Sequence, residues 1–249
     1  MQANVLARNR EVVERLGALD RAKADFVSTV SHELRTPLTS ITGYLEMLSD
    51  GDGGPLPDDA QRMLEIIDRN ALRLRNLIED LLTQSRIDAG RLRLNIERIG
   101  VQDLVERVQK SMRPLAMAAD IKLNFHSVDG LLAIEGDGPQ LEQVLTNLVS
   151  NGIKFTPPGG TVTLEAHRHG AAVVITIRDT GIGIPSDEIS DLSTRFFRAS
   201  NAVAAAFAGT GLGLSIVAEI IERHGGTLTV DSEVNVGTTI EVRLPAAAS

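Results

Sequence analysis

The stretch Phe26-Val27-Ser28-Thr29-Val30-Ser31-His32-Glu33-Leu34-Arg35-Thr36-Pro37-Leu38 sets the organisation of the N-terminal part of the chain. Apolar residues within it and after it recur at helical spacing, which is typical of the stripe that a helix buries. His32 lies two positions past Val30, and about 100° per residue turns its side chain to the opposite, polar side. The pattern therefore predicts an amphipathic helix with one solvated imidazole. The stripe comprises Phe26, Val30, Leu34, Ile41, Leu45 and Leu48.

A lone histidine on a polar helix face is usually an ordinary surface residue, and the wider string is what distinguishes this one. His32-Glu33-Leu34-Arg35-Thr36-Pro37-Leu38, preceded by Phe26-Val27-Ser28, resembles the H-box of sensor histidine kinases of two-component systems. Pro37 supports a special role, because a proline inside a helix removes an N–H and kinks the preceding turn.

Composition limits the classes of function. The 249 residues suffice for one large or two ordinary domains, and the 43% hydrophobic and 23% charged residues are ordinary for a globular protein. The net charge of −8 argues against nucleic-acid or anionic-membrane binding but does not exclude ATP with Mg²⁺.

Cysteine is absent, so disulfides and thiolate metal sites are excluded and a reducing compartment is permitted. No run approaches the ~18 apolar residues of a membrane span, and the N-terminus lacks a signal-peptide core. We expect a cytoplasmic chain, either a soluble kinase or the cytoplasmic portion of a membrane sensor.

Two long helices are predicted at the N-terminus. Residues 1–25 have apolar positions near heptad spacing, which fits either a solvated surface helix or a signal-transmitting coiled coil. This helix continues to about Asp50, the loop Gly51–Pro57 ends it, and a second helix spans Asp58 to Ala89. One hairpin leaves its apolar stripe half covered, so residues 20–90 predict a homodimeric four-helix bundle. The second stripe comprises Leu64, Ile67, Ala71, Leu74, Ile78 and Leu81.

Residues 91–249 mix helices with mostly antiparallel strands, which indicates an α+β fold with an α/β sandwich. Helices are predicted over Val101–Asp120, opened by Asp103, from a cap at Asp137 to Phe155, and over Leu212–His224. Strands are predicted over Arg91–Arg98, Lys122–Val128, Leu131–Glu135, Thr161–His169, Ala171–Asp179, Thr227–Glu233 and Thr238–Leu244, with a hairpin turn at Gly170.

Asn147, Asn151 and Lys154 share one helix face. Amide oxygens suit Mg²⁺ and a lysine suits phosphate, although a polar outer face is the simpler alternative. Asp179-Thr180-Gly181-Ile182-Gly183 follows a strand; its carboxylate can accept from the amino group of adenine, and a plain tight turn is the alternative.

Gly209-Thr210-Gly211-Leu212-Gly213 immediately precedes a helix, where glycines expose backbone N–H groups to phosphate. A dinucleotide-binding loop would follow a strand with different glycine spacing, whereas this loop follows an irregular Ala-rich segment.

The order of these three motifs, with Arg195-Phe196-Phe197-Arg198 between the last two, resembles the N, G1, F and G2 boxes of the histidine-kinase ATP-binding domain and its Bergerat fold. The resemblance implies that Asn147 holds Mg²⁺, that Asp179 contacts adenine and that residues 196–208 form a mobile ATP lid. The implied ATP-binding residues are Asn147, Asn151, Lys154, Phe155, Asp179, Gly181, Gly183, Phe196, Gly209, Thr210, Gly211, Leu212 and Gly213.

Three positions depart from the family pattern. Gly152 stands where alanine is usual, Gln140 stands where arginine is common, and the segment Asn201–Ala208 is nearly devoid of charge. The last departure argues against a lid contribution to phosphate neutralisation.

The implied activity is autophosphorylation of His32 from Mg-ATP, followed by transfer to an aspartate of a response regulator. We expect Glu33 to orient the imidazole and Thr36 to support dephosphorylation of the regulator. A degenerate kinase acting as an ATP-binding adaptor is one alternative. Another is a different Bergerat ATPase, but Gln143 occupies the helix turn where such an enzyme needs its glutamate.

Overall fold

The computed structural model describes residues 27, 29–31, 33–90, 92–127, 132–205, 207 and 209–247. The predicted coiled coil over residues 1–25 and the phosphoacceptor candidate His32 lie outside these residues. Contacts divide the chain into two compact units, the first ending at Leu92 and the second beginning at Arg93. None of the helices in the described part of the chain has the length and apolarity needed to cross a bilayer.

The first unit is a helical hairpin. Helix α1 includes residues 33–49, and the described residues among 27–31 are also helical. The turn after it contains Gly51 and Gly54, both with positive φ, and helix α2 spans Asp58–Asp88. Gly90, at φ +63°, follows the end of α2 and donates to Ile87 O at 2.9 Å. The predicted helix–loop–helix arrangement is confirmed with boundaries within about one residue.

The buried face of the hairpin differs from the predicted stripe. The apolar cluster that α1 and α2 share consists of Leu38, Leu45, Ala71, Ile78 and Leu82. Five residues of the two predicted stripes form a second apolar set that the other helix of the hairpin does not cover, in keeping with the prediction that one hairpin leaves its stripe half covered. These residues keep between 42% and 49% of their surface exposed: Leu34, Ile41, Ile67, Leu74 and Leu81.

The second unit is an α/β sandwich. Its helices are α3, Val101–Ala118, α4, Gly138–Phe155, the short α5, Ser200–Ala204, and α6, Gly213–Arg223. Its strands are β1, Glu97–Gly100, β2, Lys122–Ser127, β3, Ala133–Gly136, β4, Thr161–His169, β5, Ala172–Asp179, β6, Thr227–Glu233, and β7, Gly237–Pro245.

Five strands form the main sheet in the order β2-β4-β5-β7-β6, in which only β2 and β4 are parallel. Strands β1 and β3 form a separate antiparallel pair. The mixed, mostly antiparallel architecture and the β4–β5 hairpin at Gly170 confirm the predicted α+β class. One face of the sheet is buried beneath the helices, as Val162, Leu164 and Ala166 alternate with more exposed residues along β4.

Two predicted boundaries were wrong. The first strand was expected at Arg91–Arg98, but only Glu97–Gly100 finds a pairing partner, in β3. Helix α3 begins at Val101 directly after Gly100, so Asp103 lies inside its first turn and does not open it. The cap at Asp137 is confirmed, because its carboxylate accepts from Gln140 N at 3.1 Å.

Candidate functional site

Helix α4 supplies the amide and ammonium groups of the site. Asn151 Nδ2 donates to Asn147 Oδ1 at 3.0 Å, which confirms that these side chains share one helix face. One turn further on, Lys154 Nζ lies 4.4 Å from the centroid of the Phe155 ring. The helix therefore presents two amides, one cation and one aromatic ring along a single line.

Asp179 ends strand β5 beside this helix. Its Oδ1 accepts from the backbone of Gly181 at 2.8 Å and of Thr238 at 3.2 Å. Burial raises the pKa of the Asp179 carboxyl, and these two N–H groups only partly offset the rise. Both donors engage one oxygen, so Oδ2 can accept from an external donor such as an exocyclic amine.

Close backbone contacts hold the turn after Asp179 against α4. Ile182 N donates to Phe155 O at 3.1 Å, and a Cβ added to Gly181 would lie 2.6 Å from the same oxygen. Gly183, at φ +64°, approaches Glu233 so closely that an added Cβ would lie 1.9 Å from its carbonyl oxygen. Both positions therefore require glycine because a side chain would collide with neighbouring backbone, and Gly183 requires it also for its left-handed conformation.

Gly152, which departs from the family pattern, packs beneath the same region. A Cβ at this position would meet Val162 Cγ1 at 3.2 Å and Asp179 Cβ at 3.6 Å. The missing methyl group thus lets α4 approach β4 directly beside the carboxylate.

The glycine-rich loop lies against the polar face of α4. A Cβ on Gly213 would lie 2.8 Å from Asn147 Nδ2, and one on Gly209 would lie 3.1 Å from Lys154 Nζ. Leu212 is buried, and its N–H donates to Thr210 Oγ1 at 3.0 Å. The loop backbone is therefore within reach of any phosphate held by Asn147 and Lys154.

The segment between Phe196 and the glycine loop covers the aromatic end of the site. Phe207 packs edge-to-face on Phe155, with ring centroids 5.1 Å apart, and Arg198 Nη2 donates to the Phe207 carbonyl. At the other end, Asn201 Nδ2 donates to Gly183 O at 2.8 Å. The segment thus contacts both the turn after Asp179 and helix α4.

Phe196 adopts an unusual backbone conformation within this segment. Its φ is +64°, its side chain is 68% exposed, and its N–H donates to Gly211 O at 2.9 Å. Gly211, at φ +72°, lies so close that an added Cβ would be 2.5 Å from the Phe196 carbonyl carbon. Phe196 and the glycine loop are therefore fixed to each other.

The remaining predicted residues lie in the first unit. Glu33 and Thr36 are exposed on α1, and neighbouring Arg35 forms an ion pair with Glu79 of α2 at 2.7 Å. This exposed pair contributes at most about 1 kcal/mol, and its effect is to link the two helices beside the H-box.

Three contributors to the nucleotide-side cluster were not predicted individually: Thr238, Glu233 and Phe207. The first two contribute backbone atoms of the β6–β7 hairpin, and the identity of a residue does not indicate a backbone contact. Phe207 did carry a signal, since it is the one aromatic residue in the run from Asn201 to Ala208.

Comparison with known families decides what this arrangement is. Residues 22–90 match the His Kinase A (phospho-acceptor) domain, and residues 136–248 match the Histidine kinase-, DNA gyrase B-, and HSP90-like ATPase family. The chain belongs to the sensor histidine kinases. Both characteristic domains of a sensor histidine kinase are present, in the order that the motifs predicted.

Curated relatives of this histidine kinase are longer proteins. It is 39% identical over 231 residues to Histidine protein kinase DivJ of Caulobacter vibrioides, covering 92% of this chain and 38% of that protein. It is 34% identical over 237 residues to Sensor histidine kinase RcsC of Escherichia coli, covering 95% and 25%. The chain thus spans well under half the length of either relative.

Solved structures of histidine kinases share the fold. Full-length ShkA, crystallised in complex with AMPPNP, superposes with a TM-score of 0.72 at 26% identity, covering 90% of this chain and 46% of ShkA. The Acinetobacter baumannii histidine kinase AdeS superposes with a TM-score of 0.60 at 27% identity, covering 86% and 97%.

Proposed function

We propose that this chain is an ATP-dependent protein-histidine kinase that phosphorylates His32 and passes the phosphoryl group to an aspartate of a response regulator. The observation that carries the proposal is the convergence of Asn147, Lys154, Asp179 and the glycine loop on one face of the second unit. That cluster offers groups for phosphate, cation and adenine in a chain that also carries an H-box hairpin. Residues 20–90 would be the dimerisation and phosphotransfer domain, and residues 91–249 the catalytic domain.

Nucleotide binding would use the two ends of the cluster differently. Asp179 would accept from the adenine amino group, Phe155 would pack beside the nucleoside, and Lys154 with the loop amides would hold the phosphates. The AMPPNP bound in ShkA supports a triphosphate ligand here. ATP is the substrate that fits this donor and acceptor set.

The residues present also fit Mg²⁺. Asn147 Oδ1 is a hard oxygen held in place by Asn151 Nδ2 at 3.0 Å, and Gly213 leaves the space beside it open. Magnesium bound with nucleotide usually takes few protein ligands, so one amide oxygen beside the phosphates suffices. When bound, the ion would offset phosphate charge during transfer.

The reaction would join His32 to the terminal phosphorus of ATP. Neutral imidazole attacks through Nε2, the Nε2–P bond forms, and the bond from phosphorus to the bridging oxygen breaks to release ADP. Glu33 would accept the Nδ1–H hydrogen bond and stabilise the imidazolium that develops. The regulator aspartate then takes the phosphoryl group from Nε2.

Homodimerisation would complete the hairpin. The second apolar set on α1 and α2 remains exposed in a single chain, and burying it against a second copy gives a four-helix bundle. The regulator would approach the same domain, and a cytoplasmic location would supply both ATP and regulator.

Incubation with γ-labelled ATP tests the activity. Wild type should acquire acid-labile, alkali-stable label, and His32→Gln should acquire none because its amide cannot attack phosphorus. Label on any other residue, or none on folded wild type, would refute the proposal.

In a second experiment, Thr36→Ala should keep autophosphorylation and slow dephosphorylation of the regulator. Equal loss of both activities would remove Thr36 from the phosphatase role.

A further inference from the structure

His224 and Asp137 form a buried hydrogen-bonded junction within the second unit, outside the proposed ATP site. Asp137 N donates to His224 Nε2 at 3.0 Å, and His224 Nδ1 lies 2.7 Å from Ile220 O. Since the backbone N–H can only donate, Nε2 accepts, and the ring proton sits on Nδ1 and bonds the carbonyl. Both ring nitrogens are thereby used by a neutral imidazole that is only 7% exposed.

The junction joins the ends of two helices. Asp137 is the N-cap of α4, and His224 is the C-cap of α6, where Gly225 and Gly226 close a Schellman motif. Gly136 makes the approach possible, because an added Cβ would lie 2.9 Å from His224 Cδ2. The sequence thus clears a space so that the imidazole can reach the backbone of α4.

The start of α6 meets the middle of α4 at the proposed ATP site. Gly213, the first residue of α6, lies against Asn147 of α4, so the helices run antiparallel. From Asp137 to Asn147 is ten residues and from His224 back to Gly213 is eleven, lengths of about 15 Å and 16.5 Å. Contacts at both ends therefore define how far α6 can slide along α4.

The carboxylate of Asp137 extends the junction to the segment that joins the two units. Its Oδ2 accepts from Asn95 N at 2.8 Å, while Oδ1 caps α4. One residue thus anchors the connecting segment, the start of α4 and the end of α6.

We infer that His224 is a positioning residue for phosphate binding, acting through Asp137 to fix the register of α6 against α4. The inference rests on the proposed ATP-binding function. A slip of one residue would move Gly213 by about 1.5 Å relative to Asn147, enough to open the close contact between the glycine loop and the amide.

Two substitutions of His224 each keep one of the two hydrogen bonds that its ring makes. In His224→Gln the amide oxygen takes the place of Nε2 and can still accept from Asp137 N. In His224→Asn the amide nitrogen takes the place of Nδ1 and can bond only Ile220 O, so the junction between helices is lost. We expect ATP affinity of the full chain to fall about tenfold in His224→Asn and to stay within about twofold of wild type in His224→Gln.

Hydrogen exchange on the nucleotide-free chain gives an independent readout. Amides of residues 209–215 should exchange faster in His224→Asn than in His224→Gln, with Gly136→Ala behaving like His224→Asn. Equal exchange in both His224 variants, or an ATP affinity that falls equally in both, would overturn the inference. If wild type binds no ATP, the proposed function fails while exchange still decides whether His224 fixes the loop.

Discussion

At the scale of single residues, Asp179 combines a functional requirement with a structural penalty. Its pKa is raised by burial, so the ionised form that the proposed contact with adenine would use is disfavoured in the free protein. A group with a raised folded-state pKa contributes stability at low pH, and that contribution is lost as pH rises through the folded pKa. Ionisation of Asp179 would therefore favour the proposed ligand contact and lower the stability of the fold.

Asp179→Asn should separate these two effects. The amide oxygen can still accept from Gly181 N and Thr238 N, so we expect the free energy of unfolding at pH 7 to be unchanged or higher, measured by urea denaturation. ATP affinity should fall at least tenfold. An asparagine side chain has one acceptor oxygen, and that oxygen would already accept from Gly181 N and Thr238 N, so none would remain for the amino group of adenine. In wild type, ATP affinity should decline as pH falls through the raised pKa. A decline of the same size in the asparagine variant would assign it to another group.

Two glycines with nearly equal φ allow conformation and contact to be separated. Gly170 has φ +62° with nothing within 4 Å of an added Cβ, whereas Gly183 has φ +64° and Glu233 O at 1.9 Å. Gly170→Ala should lose only the left-handed strain, about 1–2 kcal/mol of unfolding free energy. Gly183→Ala should lose clearly more and should also weaken ATP binding, because the turn beside Asp179 must move. Equal destabilisation of the two variants in urea would show that the close contact relaxes freely.

The site was predictable where side-chain type carries the chemistry. The side-chain types and the order of the motifs singled out Asn147, Asn151, Lys154 and Asp179, and the structure brings them together. Thr238 was not found, because it contributes only a backbone N–H from a strand 59 residues away. A backbone contact depends on where the fold places that segment. This placement cannot be predicted from the neighbouring residues in the sequence.

At the scale of secondary structure, local signals explain most elements. A carboxylate before Gly-Pro predicted the start of α4, and Gly170 predicted the turn between β4 and β5. The alternation over Arg91–Arg98 misled because a strand needs a partner, and only Glu97–Gly100 meets β3. Most of the longer elements were therefore readable from the sequence, whereas the first strand depended on a distant partner and the short helix α5 was not predicted.

The packing of the helical hairpin also could not be fully predicted from the sequence. Both apolar sets on α2 repeat every seven residues, Ala71 and Ile78 on the buried side and Ile67, Leu74 and Leu81 on the exposed side. Periodicity shows that both are apolar, but it cannot assign one to the hairpin and the other to a second copy.

Leu74→Glu should test that assignment. Leu74 is 45% exposed in the single chain, so a glutamate there is tolerated by the hairpin but would place charge in the centre of a four-helix bundle. We expect sedimentation velocity to show a monomer for Leu74→Glu, a dimer for wild type, and a dimer for the control Asn76→Glu on another side of α2. A dimer in all three chains would place the dimer contact elsewhere.

At the scale of the whole molecule, the two units have separate cores of different kinds. The hairpin core is a narrow seam of five residues, whereas the second unit buries a sheet face beneath three helices. A seam of that size gives little stability by itself, so in the proposed homodimer the hairpin would gain stability from the second copy, while the second unit holds its own core and the proposed ligand site.

Calorimetry of the full chain should therefore show two unfolding transitions, one that depends on protein concentration and one that depends on ATP. Raising the protein concentration should raise the midpoint of the hairpin transition alone, because dissociation accompanies its unfolding. ATP at about 100 times its dissociation constant should stabilise the second unit by about 2.7 kcal/mol and leave the hairpin transition in place. Asp179→Asn provides the matched control, since it should keep both transitions and show a smaller shift with ATP: a tenfold weaker affinity would leave about 1.4 kcal/mol of the stabilisation. A single transition that responds to both protein concentration and ATP would mean that the two cores unfold together. The hairpin and the second unit would then not be independent in stability.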